Sequence, residues 1–251
     1  MKYQNAVGFI VLALILGGIV WLAFAHTAVA PSGPKESGTL SEDAKYYTVK
    51  AAYPTETALT ATAGVAADAA AVAAMKQFEL DTIAQFKTDG NFANLTPEDI
   101  SMMGLDQGRQ YALEMEYSTT TAPHSVSYVF TIYEDTLGAH PNGYFHTFTF
   151  DSTTGANLAL GDLFTSGADY LHKLSNISRA ELPAVIGTDA DTSYIASGTT
   201  PDEANFGNFA LDKDNLVLIF PPYQVGPYAL GPETLYIPRT ELKDILKPEY
   251  Q

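Results

Sequence analysis

The chain has 251 residues, of which 46% are hydrophobic, with 13 Lys plus Arg against 29 Asp plus Glu and a formal net charge of -16. That balance excludes a nucleic-acid binder, whose phosphate partner would be repelled, and favours a basic protein or a cationic ligand. There is no cysteine, which removes disulfides, thiolate nucleophiles and cysteine-held metals, while the length fits one or two domains with a real core.

In chain order, the first feature is an uncharged apolar run of 19 residues, 7–25. As a helix rising 1.5 Å per residue it is about 28 Å long, close to the roughly 30 Å hydrocarbon core of a bilayer. It predicts one N-terminal transmembrane helix over residues 1–25. The small-x-small triplets Ala23-Phe24-Ala25 and Ala28-Val29-Ala30 make a cleaved signal peptide, and hence secretion, the alternative. Lys2 precedes the run and the acidic bulk follows it. The expected protein is therefore single-pass in the cell membrane, with a cytoplasmic N-terminus and an extracytoplasmic domain. Residues 26–44 contain Pro31-Ser32-Gly33-Pro34 and no apolar period, so they read as a flexible linker. Leaving out Lys2, Lys35 and Glu36, the exported part keeps 11 basic and 28 acidic residues, a net of -17.

Residues 45–251 read as one α+β domain. Residues 46–53 are strand-like and Pro54 ends them. Residues 63–87 form the longest helix, with Val72, Met75, Ile83 and Phe86 inside a stripe of about 80°. Glu79 falls in that stripe; it reads as a side chain that reaches the helix edge or a backbone donor, with a buried functional acid as the other reading. Thr96 and Pro97 open a short second helix. Residues 109–118, 125–133 and 144–150 alternate apolar and polar positions, which predicts an antiparallel sheet with one face on a core. Further on come a helix over about 168–182, a polar and mobile loop over 187–205, a hairpin of 206–211 with 216–220, a strand over 234–237 and a closing helix over 239–246. The fold class is thus α+β: an antiparallel sheet packed with helices, preceded by one N-terminal transmembrane helix.

The stretch 216–231 organises the second half. Leu216-Val217-Leu218-Ile219-Phe220 is apolar throughout, the pattern of a strand buried on both faces. Pro221, Pro222, Pro227, Gly226 and Gly231 then make a rigid loop that carries Tyr223 and Tyr228. Prolines limit the entropy lost on binding and tyrosines supply contact area with few rotatable bonds. The candidate binding residues are Pro222, Tyr223, Pro227 and Tyr228, joined by His140 and Asn142 of an earlier turn; the competing reading is that the tyrosines cover the end of the core. His124, His140, His146 and His172 with Asp135 and Asp151 are the available base or metal constellation. His146 reads as a hydrogen-bonded core histidine, and the shape of its turn accounts for His140. No phosphate loop, nucleophile elbow or His-Glu-x-x-His pair occurs, and no catalytic, cofactor or metal residue is assigned.

Several spaced motifs occur in one order: Gly138-Ala139-His140-Pro141-Asn142; Phe150-Asp151 with Thr154-Gly155, Leu160 and Asp162-Leu163-Phe164; the strand 216–220 with Tyr223, Val225, Pro227-Tyr228-Ala229 and Gly231; and Ile237-Pro238 with Leu242. They resemble an exported bacterial domain family of unknown function. Its members form the outer half of lysozyme-sensing anti-sigma-V factors and a non-catalytic region of a peptidoglycan deacetylase. The resemblance covers residues 46–247, more weakly over 45–150 and more strongly over 138–247. It implies an α+β fold, in a family most of whose members have no assigned activity, and the chain is read as not an enzyme. Only residues 1–5 precede the uncharged stretch that begins at Ala6, where anti-sigma members carry a sigma-binding region, so sigma binding is not expected; without the attached polysaccharide deacetylase domain, deacetylation is not expected either. The implied function is a membrane-anchored, non-catalytic binding or sensor domain for a lysozyme-like protein or an envelope component. A peptidoglycan-binding module and a hydrolase using His140 are the alternatives.

Overall fold

The computed structural model describes residues 37–251. The predicted anchor, its signal-peptide alternative and residues 26–36 of the linker lie outside the described residues. Among the described residues no helix is long and apolar enough to cross a membrane. One sheet holds β1 (Ser37–Asp43), β2 (Tyr47–Pro54), β3 (Tyr111–Ala122), β4 (Ser125–Asp135) and β5 (Asn142–Asp151), in that spatial order. A second holds β6 (Phe209–Leu211), β7 (Asn215–Phe220) and β8 (Glu233–Pro238). The helices are α1 (Val65–Gly90), α2 (Pro97–Met102), α3 (Tyr170–Ile186) and α4 (Thr192–Gly198).

Period-two alternation sets the layers. On β4, Val126, Tyr128, Phe130 and Ile132 belong to the core shared with Ala71, Met75, Ile83 and Phe86 of α1. The opposite face supplies Val129, which packs with Phe145 of β5, Ala210 of β6, and Val217 and Ile219 of β7. The even residues of β7, Leu216, Leu218 and Phe220, join a third cluster with Leu174 and Leu182 of α3. The order is therefore α1, large sheet, small sheet, α3. β7 lies between two apolar layers, which is why its sequence does not alternate.

Hydroxyl groups join the two sheets. β6 is an edge strand, and its outward backbone is met by side chains of the large sheet. Ser127 Oγ accepts from the Leu211 amide (3.0 Å), Thr120 Oγ1 donates to the Leu211 carbonyl (2.9 Å) and Thr147 Oγ1 accepts from the Phe209 amide (3.2 Å). Buried backbone groups without such partners would cost about 1–3 kcal/mol each.

The structure corrects four expectations. The large sheet is mixed, because β2 runs parallel to β3; α1 and α2 make the long crossover that a parallel pair needs. Residues 37–43, read as part of the linker, form β1, paired antiparallel with β2 over seven positions. Its sequence Ser-Gly-Thr-Leu-Ser-Glu-Asp has little strand propensity, so backbone pairing with a neighbour decides its conformation. The polar segment 187–205 is a series of capped turns around α4: Asp191 accepts from the Ser193 and Tyr194 amides, and Asp202 from the Ala204 amide. Asp191 caps α4 and Asp202 caps the 3-10 turn that follows it, which is what the polar composition of the segment provides. The closing helix is a single 3-10 turn, Arg239–Leu242, whose buried Arg239 guanidinium donates to the Lys213 and Tyr250 carbonyls.

Candidate functional site

The loop after β7 turns at once. The Gln224 amide donates to the Pro221 carbonyl (3.1 Å), closing a four-residue turn with Pro222 second and Tyr223 third. Pro222 suits its position, because its ring fixes φ near -65°. Tyr223 does not: its φ is 72°, the left-handed region that glycine normally fills at this place in a turn, at a cost of about 1 kcal/mol. Such a conformation persists only where surrounding contacts hold it.

Those contacts come from both sides. Below the loop, Gln224 Nε2 donates to the carbonyls of Gly198 and Asn205, each at 2.8 Å, and Val225 enters the α3 core. Above it, His140 meets both tyrosines. Its Nε2 lies 3.1 Å from Tyr223 Oη, and its ring stacks on Tyr228 at 3.8 Å between centroids and 20° between planes. His140 Nδ1 is 2.9 Å from the Pro141 carbonyl, which also accepts from Tyr228 Oη at 2.8 Å. A carbonyl can only accept, so Nδ1 carries a proton, and in the tautomer this fixes Nε2 is the acceptor for the Tyr223 hydroxyl. One histidine, two tyrosines and one carbonyl thus make a closed set.

The surroundings are acidic. Tyr228's phenol is raised by burial, then by Tyr223 and Asp135. Tyr133 is pushed up to about 12 by burial, with Asp135, Glu114 and Tyr228 adding to it. Glu134 is raised by burial and by the charge of Asp89. A cation brought to this edge would relieve such crowding.

Of the six candidates, His140, Tyr223 and Tyr228 touch one another. Pro222 is half-buried in the turn, and Pro227 is exposed and opens the 3-10 turn Tyr228–Leu230. Asn142 is exposed at the start of β5, opposite Glu134, one residue beyond the shared carbonyl. Tyr223 is the most open of the three contacting side chains, at 54% exposure. Sequence reasoning did not find Gln224 or Gly198, the residues that fix the loop from below. Only the crowding at Gly198 marks that role, and it is a tertiary fact.

The histidine and aspartate constellation is not assembled. His146 faces α1 and stacks on Phe78 at 4.2 Å, so the expected hydrogen-bonded core histidine is instead held by ring stacking. Burial lowers its pKa. Asp151 Oδ1 accepts from the Thr153 and Thr154 amides and Oδ2 from Tyr250 Oη. Among the described residues no group of three or more His, Asp and Glu side chains could hold a metal ion.

Residues 161–240 match the model of DUF3298, a protein family of unknown function, and the Tyr223 loop lies inside that stretch. The chain is 40% identical over 129 residues to the peptidoglycan-N-acetylmuramic acid deacetylase PdaC of Bacillus subtilis, covering 51% of this chain and 28% of that protein. It is 26% identical over 132 residues to the esterase Rv3036c of Mycobacterium tuberculosis, covering 52% and 57%. It is also 26% identical over 118 residues to the immunogenic protein MPT64 of the same species, covering 47% and 50%. The chain thus spans between 28% and 57% of these relatives. A crystal structure of a DUF3298 member from Bacteroides fragilis superposes with a TM-score of 0.56 at 21% identity, covering 85% of this chain and 93% of that one; at that identity it shows a shared fold. The resemblance to a domain of unknown function shared with a peptidoglycan deacetylase is borne out.

Proposed function

We propose that the described domain is a non-catalytic binding module whose contact surface is the set His140, Tyr223 and Tyr228, framed by Pro222, Pro227 and Asn142. One observation carries the reading: an exposed tyrosine is held in a left-handed backbone by a histidine and a rigid loop. Strain kept at a solvent-facing aromatic suits contact with a partner better than it suits packing. The proposed partner is a basic protein such as a lysozyme-like muramidase, which a net charge of -17 over residues 41–251 would attract. Peptidoglycan is the alternative ligand, since exposed tyrosine faces also serve sugar rings.

The test is titration of the protein with lysozyme at two salt concentrations, and co-sedimentation with purified peptidoglycan. Lysozyme should associate more slowly at 0.15 M salt, where screening acts over about 8 Å. Tyr223→Ala should weaken the complex about 30-fold, or about 2 kcal/mol, and His140→Ala should weaken it too by freeing Tyr223. Binding to peptidoglycan alone would move the reading to the glycan; binding to neither would end it. Hydrolysis centred on His140 is the alternative suggested by the relatives named as esterase and deacetylase. Turnover of a p-nitrophenyl ester, abolished in His140→Ala, would replace the binding reading.

The apolar run 7–25 supports the further proposal that this module is tethered outside the cell membrane. Fractionation of expressing cells should find the chain in the membrane, with the domain open to protease added outside. A soluble mature form beginning after residue 25 or 30 would show a signal peptide instead.

A further inference from the structure

Helix α1 meets the large sheet with a stripe at four-residue and three-residue steps: Ala71, Met75, Glu79, Ile83 and Phe86. Four of the five are apolar. Glu79 is as deeply buried as they are, at 0% exposure, and among the described residues neither of its carboxyl oxygens has a hydrogen-bond partner. It reaches neither the helix edge nor a backbone donor, contrary to the sequence reading. An ionised carboxylate here would lose its hydration with nothing in return, whereas the protonated form loses far less.

The groups around it offer little compensation. Among the described residues Lys76, on α1 itself, is the cation acting on Glu79, and its ammonium lies over the Tyr53 ring of β2 at 4.8 Å. From β3, Tyr117 is raised by burial and then by Glu79 itself. This core also holds Tyr47 of β2, Tyr111 of β3, Tyr128 of β4 and Tyr144 of β5, and burial raises the phenols of Tyr47, Tyr128 and Tyr144. β5 adds His146 against Phe78. Glu114 and Glu116 are exposed on the other face of β3. Towards the ends of α1, Lys87 is engaged by Glu42, and Asp68 by Thr57.

We infer that Glu79 makes the docking of α1 onto the large sheet proton-dependent: the helix is held while the carboxyl is protonated and loosens when it ionises. Burial pushes Glu79 from 4.5 up to about 7, Lys76 offsetting part of the rise. An undocked Glu79 loses its proton near 4.5 and a docked one near 7. Stability is therefore full below about pH 4.5, falls as pH rises through that window, and levels off above about pH 7. His146 acts in the opposite sense. Its lowered pKa costs stability as pH falls below about 6.5.

Native-state hydrogen exchange of the α1 amides in the full chain, at pH 6 and pH 8, tests the inference. With intrinsic exchange corrected, the ratio of helix opening in the parent to that in Glu79→Gln should rise about tenfold from pH 6 to pH 8; taking the ratio cancels His146. Glu79→Leu, which replaces the carboxyl by an apolar group, should show the same contrast and serves if the glutamine variant does not fold. The inference is overturned if that ratio is unchanged, or if the Glu79 carboxyl carbon in the parent titrates by NMR with a midpoint near 4.5.

Discussion

Gly198→Ala is expected to destabilise the domain by about 3 kcal/mol and to release the Tyr223 loop at the same time. A β-carbon at residue 198 would sit 1.8 Å from the Gln224 carbonyl oxygen and 2.7 Å from its carbon. These are backbone atoms, so no rotamer change relieves the clash. The end of α4 or the turn 221–224 must move, and overpacking of that kind costs about 1–3 kcal/mol, here at the upper end. Movement would also break the two bonds from Gln224 Nε2 that seat the loop. For a domain of this size the melting temperature should fall by about 6–12 °C, measured by circular dichroism. Gly138→Ala is the control, since its added carbon would meet only Thr136 Oγ1 at 3.8 Å. A shift in Gly198→Ala no larger than that control would show that α4 does not brace the loop.

Much of this architecture is legible in the sequence because local signals and burial agree. The alternation in β3, β4 and β5, the unbroken apolar run of β7, and Thr96 capping α2 through Asp99 all follow from side-chain period and capping chemistry. The tyrosine loop is legible too, since prolines and glycines mark it. What escapes is set by partners distant in sequence. β1 becomes a strand because β2 offers it a backbone edge, and β2 pairs parallel to β3 because α1 carries the chain back across the sheet. His140 is drawn to Tyr223 and Tyr228 across more than 80 residues, and its own turn gives no sign of that. For Glu79, the helix stripe places it inside, but its lack of a donor depends on all that packs around it.

The other large effect is expected at Phe130, the most enclosed ring of the α1 side of the sheet. It is fully buried, with ring centroids 5.6 Å from Phe78, 5.7 Å from Tyr117 and 5.9 Å from Phe148. The register aligns it with Tyr117 on β3 and His146 on β5, so its ring fills the centre of a cross-strand row under α1. Phe130→Ala removes that ring from three aromatic partners and leaves a cavity that strands on both sides hinder from collapsing. A cost of about 4 kcal/mol is expected, read from denaturant unfolding with the slope unchanged. Tyr236→Ala, at a side chain 43% exposed on β8, should stay within about 0.5 kcal/mol. Equal losses in the two variants would mean that Phe130 is not the centre of this core.

The hydroxyls of Thr120, Ser127 and Thr147 that meet the backbone of β6 separate a family boundary from a folding boundary. The matched stretch 161–240 contains β6, β7 and β8 but none of these three side chains. Cut out alone, it would present β6 as a bare edge with two amides and a carbonyl open, a template for pairing with another copy. In this chain the stretch matched by the family model is thus half of a unit of solubility, and the other half is supplied by strands that precede it.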